Sequence, residues 1–224
     1  MGGKIAGDGK RYPRKEAMEV AMNVCGALRE CCERVEIAGS LRRGKPDCGD
    51  IDICVIPKGG EPSLGIAANW VPPALGGDAV PPMEGTVPAI ADALNELLKL
   101  VWGPVPFEKL EPHIEYRKGK FKPRLGFSFG MPIVPEMRTT ENGAGGKIQV
   151  DVLIAARPDF EAQWLFQTGS ADFNVRQRGI AKALGLKLSN YGLMDPAANV
   201  VVARTEREIF EKLGMEFLEP EKRD

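Results

Sequence analysis

The sequence predicts an α+β fold, and three observations carry that expectation. The runs GDIDICVIP and KIQVDVLIA alternate apolar with polar residues, the period of a strand with one face buried. Several other segments repeat apolar residues at spacings of three and four, the period of an amphipathic helix. These strands and helices interleave without a strict βαβ repeat, which favours α+β over a doubly wound sheet.

The elements follow in order. The glycine-rich residues 1–10 read as a loose tail. From Arg14 to Glu30, Ala17, Ala21, Val24, Leu28 and Cys31 line one helical face. A Val35, Ile37 alternation and a turn at Gly39-Ser40 lead to the GDIDICVIP strand, with Asp50 and Asp52 on the same face. Pro57 to Pro88 holds seven prolines and six glycines in 32 residues, and reads as a long loop or insertion. A helix is expected from Pro88 to Val101, then one or two strands between Ile114 and Phe129 around a basic turn, then the KIQVDVLIA strand carrying Asp151. Three helices are expected at Asp159–Phe166, Ser170–Leu184 and Glu206–Leu213, the last with a Thr205 to Glu208 capping box and a stop at Gly214. A hairpin is expected around Asp195-Pro196.

Composition narrows the function. With 224 residues, 43% hydrophobic and 27% charged, the chain is long enough for one domain or two small ones and is neither disordered nor fibrous. Neither a membrane-length apolar run nor a signal-peptide core is present, which predicts the cytosol or nucleus. Five cysteines without a CxxC pair read as reduced structural thiols, and the single His113 rules out a metal site of several imidazoles. Any metal must be held by carboxylates. Thirty basic and 31 acidic residues give a net charge of −1, so binding to nucleic acid has to come from local patches.

The chemistry concentrates in GSLRRGKPDCGDID, Gly39 to Asp52. Carboxylates two apart on a strand stand roughly 7 Å apart along the backbone and can share divalent cations. Two like charges at about 4 Å cost on the order of 4 kcal/mol at an effective dielectric near 20, so the pair is unfavourable without a cation. A bare D-x-D also reads as a solvated strand face. Its neighbours argue otherwise: the Gly39-Ser40 turn can offer N–H groups and a hydroxyl to a phosphate, and Arg42, Arg43 and Lys45 stand within a few residues.

The run GS-x-RRGK-x-x-x-GDID resembles the palm signature of family X DNA polymerases, the polymerase beta-like nucleotidyltransferases. TGSADFNVRQRGIAKALGLKLSNYGL, Thr168 to Leu193, resembles the family's TGS-x-x-FN-x-x-x-R segment. EIFEKLGMEFLEPEKR resembles its closing motif, and RYPR at Arg11 to Arg14 is a fourth match. The resemblance implies a nucleotidyltransferase palm at 11–156, interrupted by an insertion at about 57–88, and a small α/β thumb at 157–224. It implies that Asp50, Asp52 and Asp151 hold two Mg²⁺ ions, for which Mn²⁺ can substitute, and that Asp151 serves the primer 3′-OH. It assigns the dNTP to Gly39, Ser40, Arg43, Gly49, Arg11, Phe166, Gly169 and Asn174, and the template strand to Arg178. The implied reaction is in-line attack of the primer 3′-oxygen on the α-phosphorus, which explains why no histidine base is needed.

Several features depart from the pattern. Family members commonly carry an N-terminal lyase domain and a helix-hairpin-helix module, whereas this sequence opens at the palm, so a minimal palm-plus-thumb form without lyase activity is expected. Phe166-Gln167 stands where the family often has two aromatics that police the sugar. Since the net charge is near zero, Arg117, Lys118, Lys120, Lys122 and Arg124 become the candidate duplex-binding patch, with a solvated hairpin tip as the competing reading. The expected partner is a primer-template or gapped DNA, bound by a monomer in repair-type synthesis. The alternatives are a template-independent terminal nucleotidyltransferase and a non-catalytic DNA-binding module.

Overall fold

The computed structural model describes residues 10–59, 86–102, 113–115, 124–132 and 146–224. A two-residue strand β1 (Tyr12–Pro13) leads into α1 (Arg14–Leu28), β2 (Cys32–Ile37), the one-turn helix α2 (Gly39–Arg42), β3 (Asp47–Cys48) and β4 (Asp50–Pro57). Next come α3 (Thr86–Trp102), β5 (His113–Glu115), β6 (Arg124–Pro132) and β7 (Lys147–Ile154). The chain continues through α4 (Phe160–Thr168), α5 (Ala171–Ala183), β8 (Lys187–Ser189), β9 (Gly192–Asp195), β10 (Val200–Ala203) and α6 (Glu206–Lys212).

Five strands form a mixed sheet in the order β2-β4-β7-β6-β5, parallel only between β4 and β7. Alternation sorts its residues by face. Ile51, Ile53 and Val55 of β4 and Ile148, Val150 and Val152 of β7 pack with the apolar stripes of α1 and α3 into the main core. On the opposite face, Cys54, Ile56, Leu153 and Ala155 are covered by Phe160 and Trp164 of α4. That leaves the first half of β4, with Asp50 and Asp52, as the polar part of this face. A separate core unites α4, α5, α6 and the antiparallel β8-β9-β10 meander around Phe173, Leu193, Ile209 and Phe210.

The α+β expectation holds, as do the Thr205–Glu208 capping box and the hairpin at Asp195-Pro196, which joins β9 to β10. Elsewhere the ends of elements differ. α1 stops at Leu28 because the amides of Arg29 and Cys31 bond the carbonyls of Cys25 and Leu28, both at 3.2 Å, and close the last turn. Pro158 sits in a 3₁₀ turn, Arg157–Asp159, and α4 begins after it and runs to Thr168. The β1–β3 pairing was not anticipated. Residues 1–9, most of the expected loop at 57–88, and residues 116–123 of the basic turn lie outside the described residues. All five cysteines are free, and burial pushes the Cys25 thiol up to about 11, as fits a structural role. No described helix is long and apolar enough to cross a membrane.

Candidate active site

The parallel register between β4 and β7 sets Asp52 beside Asp151 and Asp50 beside Gln149, so Asp50, Asp52 and Asp151 share one face of the sheet. Asp50 is exposed, whereas Asp52 and Asp151 are half-buried. Desolvation and the Asp151 charge push the Asp50 carboxyl above its ordinary range, against the pull of Arg11 and Arg43. Desolvation and Asp151 together thus outweigh the two arginines, and the ionised form of Asp50 is disfavoured. An all-oxygen carboxylate set on adjacent strands suits hard divalent cations by chemistry and by face.

Among the described residues no three His, Cys, Asp or Glu side chains are gathered as a metal site. Two of the three carboxylates are held by close neighbours. Ser128 Oγ donates to Asp151 Oδ1 at 2.5 Å, and Gln149 Nε2 donates to both Asp151 oxygens at 3.0 and 2.9 Å. The Asp52 carboxylate lies against Gly39, where a Cβ would overlap it, and Gly39 has φ of +59°. Both facts demand glycine at this position.

Gly39 opens α2, which places Ser40 and Arg43 in one turn beside the start of β4. Buried Ser40 Oγ and Arg43 Nε make no well-formed hydrogen bond: Ser40 is left with the Cys48 thiol and Arg43 Nε with the Asp224 carboxylate at 3.8 Å. Leaving buried polar atoms unmatched costs about 1–3 kcal/mol each, so the turn is poised for a ligand with acceptor oxygens. Arg43 Nη1 donates to the Thr168 carbonyl, which ties this turn to the TGS segment. The β1–β3 ladder brings Arg11 to Asp47, with Nε to Oδ1 at 2.7 Å and Nη2 to the carbonyl at 2.9 Å. Gly49 is the residue between β3 and β4.

The second group stands around α5. Ser170 caps the helix by accepting from the Phe173 amide at 3.2 Å, after Gly169 at φ of +68°. Asn174 is buried, and its Nδ2 donates to the Phe166 carbonyl at 2.7 Å. Arg178 is exposed, its Nε donates to the Asn174 carbonyl at 3.0 Å, and its guanidinium lies over the Phe166 ring. Phe166, Asn174 and Arg178 therefore form one cluster. Of the basic segment, Arg117, Lys118, Lys120 and Lys122 lie outside the described residues, and Arg124 opens β6.

Sequence reasoning missed four supporting groups, Gln149, Ser128, Glu206 and Arg223. Gln149 had a usable signal, since it lies two residues before Asp151 in an alternating strand and so shares its face. Ser128 had none. Arg42 and Arg223 converge on Glu206: Arg42 donates to its two oxygens at 2.6 and 2.9 Å, and Arg223 at 3.1 and 3.3 Å. Arg42 Nη1 also donates to Thr168 Oγ1 at 2.7 Å, and its guanidinium stacks on Trp164. This network joins α2, beside the carboxylates, to α4 and α6.

Comparison with known proteins fits both halves. Residues 11–69 match the model described as DNA polymerase beta palm, and residues 163–224 match DNA polymerase beta thumb. The chain belongs to the family X DNA polymerases. It is 26% identical to DNA polymerase lambda of Rattus norvegicus over 234 aligned residues, covering 96% of this chain and 33% of that protein. It is 37% identical to DNA-directed DNA/RNA polymerase mu of Homo sapiens over 79 residues, 34% of this chain and 16% of that protein. The chain thus spans a third or less of the length of these family X relatives. Family X polymerases are metal-dependent in general.

Proposed function

We propose that this chain carries the palm (11–156) and thumb (157–224) of a DNA-directed DNA polymerase that adds deoxynucleotides to a primer 3′-OH, acting intracellularly in repair-type synthesis. The observation that carries the reading is the buried pair Ser40 Oγ and Arg43 Nε, neither with a well-formed hydrogen bond, beside a face bearing three carboxylates. Phosphate oxygens supply the missing acceptors, and the carboxylates supply ligands for cations on the same phosphates.

In this reading Asp50 and Asp52 hold Mg²⁺ or Mn²⁺ on the nucleotide, and Asp151, oriented by Gln149 and Ser128, faces the primer terminus. When bound, the two ions supply acidification of the 3′-hydroxyl and neutralisation of the departing pyrophosphate. Arg43 and Ser40 grip the triphosphate, with Gly39, Gly49 and Arg11 at its border. Gly169 shapes the turn beneath the sugar. Asn174 exchanges the Phe166 carbonyl for the minor-groove edge of the incoming base, while Arg178 meets the template strand. Minor-groove acceptors are common to all base pairs, so such contacts test pair geometry without reading sequence.

Primer extension with and without template, in Mg²⁺, tests this directly. Extension that requires the template is expected. Extension of a free 3′ end would favour a terminal nucleotidyltransferase, and DNA binding without extension would favour a non-catalytic module.

A further inference from the structure

Lys45 lies two residues beyond Arg43, and its amide bonds the Ser40 carbonyl at 3.1 Å, so it belongs to the turn proposed to hold the triphosphate. Its ammonium pairs with the Asp224 carboxylate. The other oxygen of that carboxylate stands 3.8 Å from Arg43 Nε, the atom that makes no well-formed hydrogen bond. The placement of Asp224 is fixed by its neighbour. The preceding Arg223 is fully buried, held by Glu206 and by the Leu218 carbonyl at 2.8 Å, and the Arg223 carbonyl accepts from the Ser170 amide at 3.0 Å. Beside it, Glu221 lies close to Gly44 in the same turn. A core anchor thus sets an acidic side chain across two cations of the proposed nucleotide site.

We propose that Asp224 is an internal competitor for the incoming triphosphate and that Lys45 is a further phosphate-binding residue, which Asp224 occupies until the nucleotide arrives. The inference rests on the nucleotide site proposed above. A carboxylate bridging Lys45 and Arg43 stands in for a phosphate oxygen, which also binds guanidinium and ammonium groups. The Asp224 side chain is 56% exposed, so solvent screens the contact and a multiply charged triphosphate displaces it. The competition therefore tunes affinity without closing the site.

Equilibrium binding of Mg²⁺–dATP and of inorganic tripolyphosphate to the full chain tests the proposal. Asp224→Asn is expected to tighten both ligands about two- to fivefold at low salt, the range that a partly exposed ion pair supports. The gain should shrink as salt rises and should be reduced in the Lys45→Ala background, where only Arg43 still faces Asp224. Asp224→Ser is expected to reproduce it, which separates loss of charge from a peculiarity of asparagine, and circular dichroism checks the fold of each variant. Unchanged or weaker binding by both Asp224 variants would overturn the competitor, as would a gain seen with dATP but absent with tripolyphosphate. A gain undiminished in Lys45→Ala would overturn the role of Lys45. Arg43→Ala separates the two layers: if it binds dATP like the parent, the nucleotide site itself is wrong, whereas if it loses binding while Asp224→Asn shows no gain, only the competitor fails.

Discussion

A single amide of Gln149 donates to both oxygens of Asp151 and thereby sets which way that carboxylate faces. Gln149→Leu keeps the strand and the volume but removes the donor. It is expected to weaken Mn²⁺ binding by roughly 10- to 100-fold, the usual cost of losing a group that orients a metal ligand. Mn²⁺ titration by calorimetry checks this, and unchanged affinity would mean that Ser128 alone sets the carboxylate. Asp50 presents the opposite balance. Desolvation and Asp151 raise its pKa, so the folded chain binds the proton more tightly than the unfolded chain does. The favourable contribution is present at low pH and is lost as pH rises through the carboxylate range toward the raised folded value. In metal-free buffer at neutral pH, Asp50→Asn is expected to raise the melting temperature while abolishing extension. That advantage should shrink below about pH 4, where the parent carboxyl is protonated too. A lower melting temperature at pH 7 would contradict this balance.

At the scale of elements, the join between α2 and α6 depends on Glu206. Burial pushes its carboxyl up, but the hydrogen bonds from Arg42 and Arg223 outweigh burial and leave its pKa below the ordinary range. A depressed pKa contributes stability that is present above the unfolded value and is lost as pH falls toward the folded one, so this join should weaken below about pH 4. Glu206→Gln strands two largely buried guanidiniums and is expected to cost about 3 kcal/mol in urea unfolding at neutral pH. A loss under about 0.5 kcal/mol would show that the arginines find other partners. Such a join was invisible in the sequence because Arg42 and Glu206 are 164 residues apart and neither carries a local period. β4 and β7 were legible for the converse reason: one face of each is packed by Ile and Val, and the other carries Asp50, Asp52 and Asp151 before its apolar end under α4. The β1–β3 ladder could not be read, since two residues cannot display alternation. Pro158 could have warned that helix α4 starts late, because the 3₁₀ turn accommodates it before the helix begins.

Over the whole molecule, a net charge of −1 provides no steering field toward DNA, so duplex affinity must be local. Lys118, Lys120 and Lys122 are the candidates named by composition. If all three touch phosphate, their replacement by alanine should flatten the slope of log K against log salt by roughly two to three units. An unchanged slope would move the binding surface to the thumb, around Arg178. The central claim is that nucleotidyl transfer occurs at the face shared by Asp50, Asp52 and Asp151. The most direct test is single-turnover dNTP incorporation on a primer-template in Mg²⁺, comparing the parent chain with Asp151→Asn after circular dichroism has shown the same fold. Template-directed incorporation by the parent and a loss on the order of 10²–10³-fold or more in the variant is the predicted result; incorporation by Asp151→Asn at the parent rate would contradict it.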